Sequence, residues 1–292
     1  MTSAHTAATG ARTGDDVPAV LRGGRGVVVK LGGDVLEGVA LARVADDIRG
    51  ATARGWNVLV VHGGGAQVTA LATALGRTPE LVGGRRITDP DTLDLIKMVV
   101  AGRLNVDLVS SLRVAGARAI GLCGASGIVR AHRRPPRPVA GSGGAPVDFG
   151  LVGDIDGFDL PLLGALVERG LVPVIACLGA DPRSGAVLNI NADVVASQLA
   201  AAAGVAALVA VTAVGGVRRD RDDPATRIAR LTVGEARQAI ADGSVSGGML
   251  PQLEEAFAPL AAGVGAVHIV APGELERALT DPGAAGTWLL TA

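Results

Sequence analysis

The sequence predicts an α/β fold: an open, mainly parallel β-sheet sandwiched by helices in an αβα arrangement, with an antiparallel hairpin inserted into it. Three observations carry this expectation. Six short runs rich in Val, Ile and Leu recur along the chain and have the composition of fully buried parallel strands. Longer segments with helical spacing of apolar residues lie between them. Each strand-like run ends in glycine or a polar residue, so strand, helix and strand alternate throughout, which is the pattern of a parallel sheet covered on both faces.

In chain order the strand candidates are GVVVKLGG (26–33), NVLVVHGGG (57–65), RAIGLCGASG (118–127), LVPVIACLGA (171–180), AALVAVTAVGG (206–216) and AVHIVAPG (266–273). The helical segments are LARVADDIRGATARG (41–55), TALATALGR (69–77), the long run 89–116, DLPLLGALVERG (159–170), NADVVASQLAAAAG (191–204) and TVGEARQAIADG (232–243). From about 128 to 158 the rhythm breaks. RRPPRP, GSGG and then APVDFGLVGDID combine alternation with turn residues, which predicts antiparallel strands or a hairpin attached to the main sheet. Residues 1–25, rich in Thr, Ala and Gly, are expected to form a poorly ordered tail.

Composition narrows the function classes. With 292 residues, 49% hydrophobic and 19% charged, the chain is long enough for one large or two modest domains with real cores. Lys plus Arg (27) nearly cancels Asp plus Glu (28), and no basic run is interleaved with aromatics, so no nucleic-acid footprint is expected. No run reaches the roughly 20 apolar residues of a membrane span, and the first 25 residues lack a secretory core, so the expected location is the cytoplasm without membrane attachment. Cys123 and Cys177 lie in strand-like contexts without CxxC spacing and are expected to be small core residues; no metal site is predicted. Lysine occurs only at Lys30 and Lys97, so a mechanism needing a compact ammonium has few candidates.

In an open α/β sheet, ligands gather outside the carboxyl ends of the strands. Lys30 ends the first strand and is followed at once by Gly32 and Gly33. Paired glycines let backbone amides approach an anion that the lysine would meet, although a lysine reaching solvent fits the same motif. One strand later Gly63, Gly64 and Gly65 lead into a helix whose N-terminal amides favour negative charge; tight-turn geometry is the alternative. Arg85 and Arg86 offer a planar fork to a carboxylate or remain surface residues, and Thr88 or Asp89 is placed to cap the next helix. In LNINADVV, Asn189, Asn191 and Asp193 crowd one helix start, where capping explains one polar residue but not three. His62 is expected to hold its loop by hydrogen bonds rather than act as a base.

Taken together, KLGG, HGGG, GGRRIT, DFGLVGDID, LNINAD, TAVGGV and GGMLP resemble, in order and spacing, the acetylglutamate kinases of the amino acid kinase family. The resemblance covers nearly the whole chain after about residue 26. It implies transfer of the γ-phosphoryl of ATP, with Mg2+ carried by the nucleotide, to the side-chain carboxylate of N-acetyl-L-glutamate, giving an acyl phosphate in arginine biosynthesis. By the same resemblance Lys30 holds the transferring phosphoryl and Asp193 orients the catalytic lysines. Gly64, Gly65, Arg86 and Asn189 bind the substrate, while Gly32, Gly33, Thr212, Gly215, Gly247 and Gly248 line the nucleotide and its phosphates. Residues 26–180 would form an N-terminal lobe for the amino acid and 181–292 a C-terminal lobe for the nucleotide. The short tail favours a homodimer over a hexamer.

The departures from the family pattern are specific. A second phosphate-binding lysine is replaced by Gln252, and the acidic or amide residue of the nucleotide turn by Ala213. GASG at 124–127 and NVDLV at 105–109 also lack lysines common in the family. Glutamine donates a hydrogen bond but brings no charge, and losing one preorganised donor at developing charge costs ~3 kcal/mol, roughly a hundredfold in rate. Arg218, Arg219 and Arg227, after the nucleotide turn, are candidates to restore charge. The alternatives to an active acetylglutamate kinase are a catalytically silent or regulatory paralogue that binds substrate or nucleotide, and a kinase for a related acylated amino acid.

Overall fold

The computed structural model describes residues 17–139, 143–220, 223–245 and 249–292, without the side chains of 224 and 249–252. The chain runs β1 (Gly23–Leu31), α1 (Gly38–Ala53), β2 (Asn57–His62), α2 (Gly65–Ala74), β3 (Leu81–Val82), β4 (Arg85–Arg86) and α3 (Pro90–Ile96). A π-helical stretch, Lys97–Leu104, joins α3 to α4 (Asn105–Val114), and then come β5 (Ala119–Cys123), β6 (Val129–Arg133), β7 (Gly153–Phe158), α5 (Leu160–Glu168), β8 (Val172–Ala176), β9 (Leu178–Ala180) and β10 (Val187–Asn189). The remainder is α6 (Ala192–Ala203), β11 (Val205–Val211), β12 (Arg230–Thr232), α7 (Val233–Ala241), α8 (Met249–Ala261), β13 (Ala266–Val270), α9 (Leu275–Thr280) and β14 (Thr287–Leu290).

The main sheet has the order β12-β14-β13-β11-β1-β2-β8-β5, in which β14 alone runs antiparallel to its neighbour β13, while β12 pairs with β14 in parallel. All six strands expected from the sequence lie in its parallel part; β2, β8 and the apolar residues that end β1 are buried almost throughout because helices cover both faces, whereas the edge strand β5 is only partly covered. α1 packs with α4 and α9, and α6 packs with α8 and over β1 and β11. β1 is the topological switch point: the chain leaves it toward β2 on one side, and β11 from the second half flanks it on the other. Register aligns the strand ends there, with Leu31 opposite both His62 and Val211, and His62 opposite Ala176. The glycine turns that follow therefore open onto one crevice.

The hairpin is present but its placement differs from expectation. β6 and β7 pair antiparallel and join a separate four-stranded sheet, β10-β9-β6-β7, instead of the main one. The physical reason lies in β8 and β9: only Cys177 separates them, so the chain continues off the carboxyl end of β8 and carries a second sheet over the crevice. Gly124 permits this crossing, because a Cβ there would lie about 2.0 Å from the Leu178 carbonyl oxygen. Strand pairing begins at Gly23 and Leu21 is fully buried, so packing starts within the stretch read as a tail; residues 1–16 lie outside the described set. No described helix is long and apolar enough to cross a membrane.

Candidate functional site

A cleft of about 320 Å3 opens at the switch point, lined by Lys30, Gly32, Gly33, Gly64, Gly65, Arg86, Asn189 and Asp193 among others. These eight positions come from four separate stretches of chain, each positioned by its own local chemistry. Lys30 sits near the end of β1 with its Nζ 2.5 Å from Asp193 Oδ1. Asp193 lies in the first turn of α6, whose positive dipole end also faces the crevice. The pair is half-buried, and strand and helix hold it from opposite sides of the cleft.

The glycine turns are tight for steric reasons. A Cβ on Gly32 would meet Asp34 Oδ1 at 2.2 Å, and one on Gly33 would meet Gln67 Oε1 at 2.8 Å. Gly64 has φ +154° and ψ 32°, and a Cβ there would lie 2.2 Å from Leu104 of the π-helical stretch. The turns are also tied together. The Gln67 side-chain amide donates to Gly33 O at 2.7 Å, and Asp34 Oδ2 accepts from the Ala213 backbone N–H at 2.8 Å. The second bond links the turn after β1 to the turn after β11. At position 213, the departure Ala213 thus contributes its backbone to the site's architecture.

On the other wall, Arg86 donates from Nη2 to Gly65 O (3.1 Å) and Thr69 Oγ1 (2.7 Å). Thr88 is fully buried and accepts from the Asn189 side-chain amide at 3.1 Å, while the Asn189 backbone N–H donates to Leu151 O. The three polar residues of the LNINAD motif thus divide their work. Asn191 caps α6 by accepting from Asp193 N–H at 2.7 Å, Asn189 is held by Thr88, and Asp193 meets Lys30. Asp89 caps α3, with Oδ1 accepting from Thr92 N–H and Pro90 in the first turn.

His62 is fully buried; it shares a hydrogen bond between Nδ1 and Gly63 O (3.0 Å), and Nε2 accepts from the Asn105 amide (3.0 Å). Burial pushes its pKa down to about 4, so the ring is neutral and holds the HGGG turn in place. Asn105 also donates to Val174 O, which joins the turn to β8. Cys177 lines the cleft as a neutral thiol, its pKa pushed up to about 12 by burial.

Thr212 and Gly215 lie in the adjoining turn after β11, where Gly215 N–H donates to Thr212 Oγ1 at 3.2 Å and Gly215 has φ +70°. Thr212 lines a second, smaller cleft that shares Lys30 and Asp193 with the first. Gly247 and Gly248 lie outside the described residues, and of Gln252 only its place in α8 is described. Lys97 pairs with Asp94 on the surface, away from the cleft. Arg218 donates to Val214 O at 2.9 Å within the turn after β11, and Arg227 bonds Gly286 O.

Several residues at the site were not among those the sequence singled out. Arg134, 8% exposed and paired with Asp154 at 2.7 Å, reaches the cleft from the second sheet and joins Arg85 and Arg86 along its wall. Arg137 stands near Arg134 and Arg85, and burial with this crowding lowers its pKa. The positive wall suits an acidic ligand. Glu255 of α8 faces Asp193 and Lys30; desolvation first, then the Asp193 charge, push its pKa up to about 7. Only the RRPP run around Arg134 offered a local signal.

Known proteins resemble this chain over most of its length. Residues 25–271 match the amino acid kinase family. Acetylglutamate kinase from Anaeromyxobacter dehalogenans is 54% identical over 269 residues, which is 90% of this chain and 98% of that protein. Acetylglutamate kinase from Sorangium cellulosum is 52% identical over 90% of this chain and 94% of its own length. Among solved structures, N-acetylglutamate synthase from Neisseria gonorrhoeae, complexed with coenzyme A and N-acetyl-glutamate, superposes with TM-score 0.76 at 25% identity. That match covers 91% of this chain and 59% of the synthase.

Proposed function

The chain belongs to the amino acid kinase family, and from that premise we propose that it transfers the γ-phosphoryl of ATP to the side-chain carboxylate of N-acetyl-L-glutamate. The product is an acyl phosphate of arginine biosynthesis. The observation that carries the proposal is the Lys30–Asp193 pair at the end of β1, set between two glycine turns and facing Arg86 and Asn189 across one cleft.

The chemistry asks little of the protein beyond placement and charge. An acceptor carboxylate is already ionised at neutral pH, so its oxygen attacks the γ-phosphorus and ADP leaves without any proton being removed. No general base is required, which accords with a His62 locked in a structural role. Lys30 stabilises the charge that develops on the transferring group, and Asp193 holds the ammonium in position. The amides of Gly32, Gly33, Gly64 and Gly65 approach the phosphoryl and the acceptor, and Arg86 with Asn189 orients the acceptor's other carboxylate. Thr212 and Gly215 line the nucleotide track, and the family motif assigns Gly247 and Gly248 to nucleotide binding as well.

ATP enters as the Mg2+ complex, with the cation bound to its phosphates. The N-terminal lobe (26–180) serves the amino acid and the C-terminal lobe (181–292) the nucleotide, with Asn189 and Asp193 reaching across that border into the acceptor cleft. A cytoplasmic homodimer completes the proposal; exposed Met98, Val106 and Val114 on the long helical run supply apolar surface for self-association. Hydroxylamine trapping of the acyl phosphate with MgATP and N-acetyl-L-glutamate is the direct test. Gln252 favours one second reading, a catalytically silent paralogue that keeps substrate or nucleotide binding, and ligand binding without trapped product would support it.

A further inference from the structure

Glu255 lies in the second turn of α8 over the amino end of α6, and it lines the smaller cleft with Lys30, Asp193 and Thr212. The floor there is apolar, made by Leu208 and Ala210 of β11 and Val267 and Ile269 of β13. The charged groups acting on Glu255 are Lys30 from β1, Asp193 from α6 and Arg85 from β4; Arg237 of α7 turns instead to the Phe257 ring, 5.5 Å away. Although Glu255 keeps solvent exposure, its carboxyl comes within hydrogen-bonding reach of the Asp193 carboxylate. Two carboxyl groups in contact do not both ionise cheaply, so a single proton between them is the favoured arrangement. Asp193 is already engaged by the Lys30 ammonium at 2.5 Å, which assigns the proton to Glu255.

We infer that Glu255 is a positioning residue whose protonated carboxyl donates a hydrogen bond to Asp193, keeps Asp193 on Lys30, and spares the phosphate track beside Thr212 a second negative charge. The inference rests on the phosphotransfer role proposed for the cleft. Desolvation first, then the Asp193 charge, push the Glu255 carboxyl pKa up to about 7, so near neutral pH both forms are populated. A polyphosphate bound beside Lys30 disfavours the ionised form, and its binding draws one proton from solvent onto the Glu255 carboxylate. Once ionised, Glu255 competes with the phosphoryl oxygens for Lys30, so the rate falls about tenfold per pH unit above the apparent pKa.

The experiment is calorimetry of MgATP binding at about pH 8 in buffers of different ionisation enthalpy, together with rate profiles from about pH 6 to 9. Native protein is compared with Glu255→Gln and Glu255→Ala. Because the nucleotide is the same throughout, its own proton release cancels in the difference. The native protein is expected to take up close to one proton more than Glu255→Gln, and the glutamine variant to lose the alkaline decline. Glu255→Ala should be slower at every pH, with Gln restoring most of the rate, since its amide still donates to Asp193. Equal proton counts and superimposable profiles in proteins that bind ATP and turn over would overturn the role of Glu255 while leaving the kinase intact. No MgATP binding by any of the three would remove the kinase proposal and this one with it.

Discussion

Lys30→Ala tests the proposed site most directly. The substitution deletes an ammonium that is 14% exposed and 2.5 Å from Asp193 Oδ1, at the only point where a lysine lines the described cleft. A unit charge about 4 Å from a phosphoryl oxygen, at an effective dielectric near 20, contributes about 4 kcal/mol. Deleting one preorganised donor at developing charge has a measured cost of roughly 2.7–4 kcal/mol, a hundredfold to a thousandfold in kcat. The variant also leaves the Asp193 carboxylate facing the same oxygens, which places the expected loss near about a thousandfold. Folding should suffer much less, about 1–2 kcal/mol, because the pair lies at a wet cleft rather than in the core. Acyl phosphate trapping at saturating MgATP and N-acetyl-L-glutamate gives the rate, and a thermal melt gives the stability. Asp193 acts through Lys30, so Lys30→Ala combined with Asp193→Ala should cost little more than Lys30→Ala alone. A single variant that keeps about a tenth of native kcat, or strictly additive losses in the double variant, would refute the assignment.

Three further outcomes follow from specific residues. Gln252→Lys should raise kcat by about tenfold to a hundredfold if position 252 faces the phosphates, as the family pattern implies; an unchanged rate in the trapping assay would show that charge there is supplied by other groups. Gly64→Ala combines a φ of +154° with a Cβ 2.2 Å from Leu104, so it should cost about 1–3 kcal/mol in a denaturant titration and lower kcat as the HGGG turn shifts. Asp47, 7% exposed, accepts from Gly273 N–H and Leu275 N–H at the start of α9, yet desolvation pushes its pKa up from 3.8 to about 6. With a folded value above the unfolded one, its contribution is full below about pH 4 and is lost as pH rises through 6. That loss is at most about 3 kcal/mol, and Asp47→Asn should flatten stability over this window in urea titrations at stepped pH.

Much of the molecule could be read locally. The buried strands were marked by continuous Val, Ile and Leu, and the turns by glycine, because strand burial and sharp turns depend on a few adjacent residues. The same holds for the caps of α3 and α6, where Asp89 and Asn191 act within three residues of their own positions. The sequence also marked Lys30, Arg86, Asn189 and Asp193, since charged and amide groups at strand ends stand out against an apolar background.

What the sequence alone determined, then, was the six parallel strands of the main sheet, the glycine turns after them and the first set of charged and amide residues that end on one crevice. Tertiary structure decided who meets whom. Asp34 looks like an ordinary turn residue until its carboxylate is seen on the Ala213 amide 179 positions away, and Asn105 looks like a helix residue until it joins His62 to Val174. The hairpin of β6 and β7 left the main sheet because β9 grows off β8, and the short elements β12, β14 and α9 carry too few residues to show a period. Glu255 and Arg134 gain their roles only where α8 and the second sheet close over the cleft. Local pattern is set by bonded neighbours and solvent, whereas the charge felt by a side chain is set by groups that folding brings to it from distant parts of the chain.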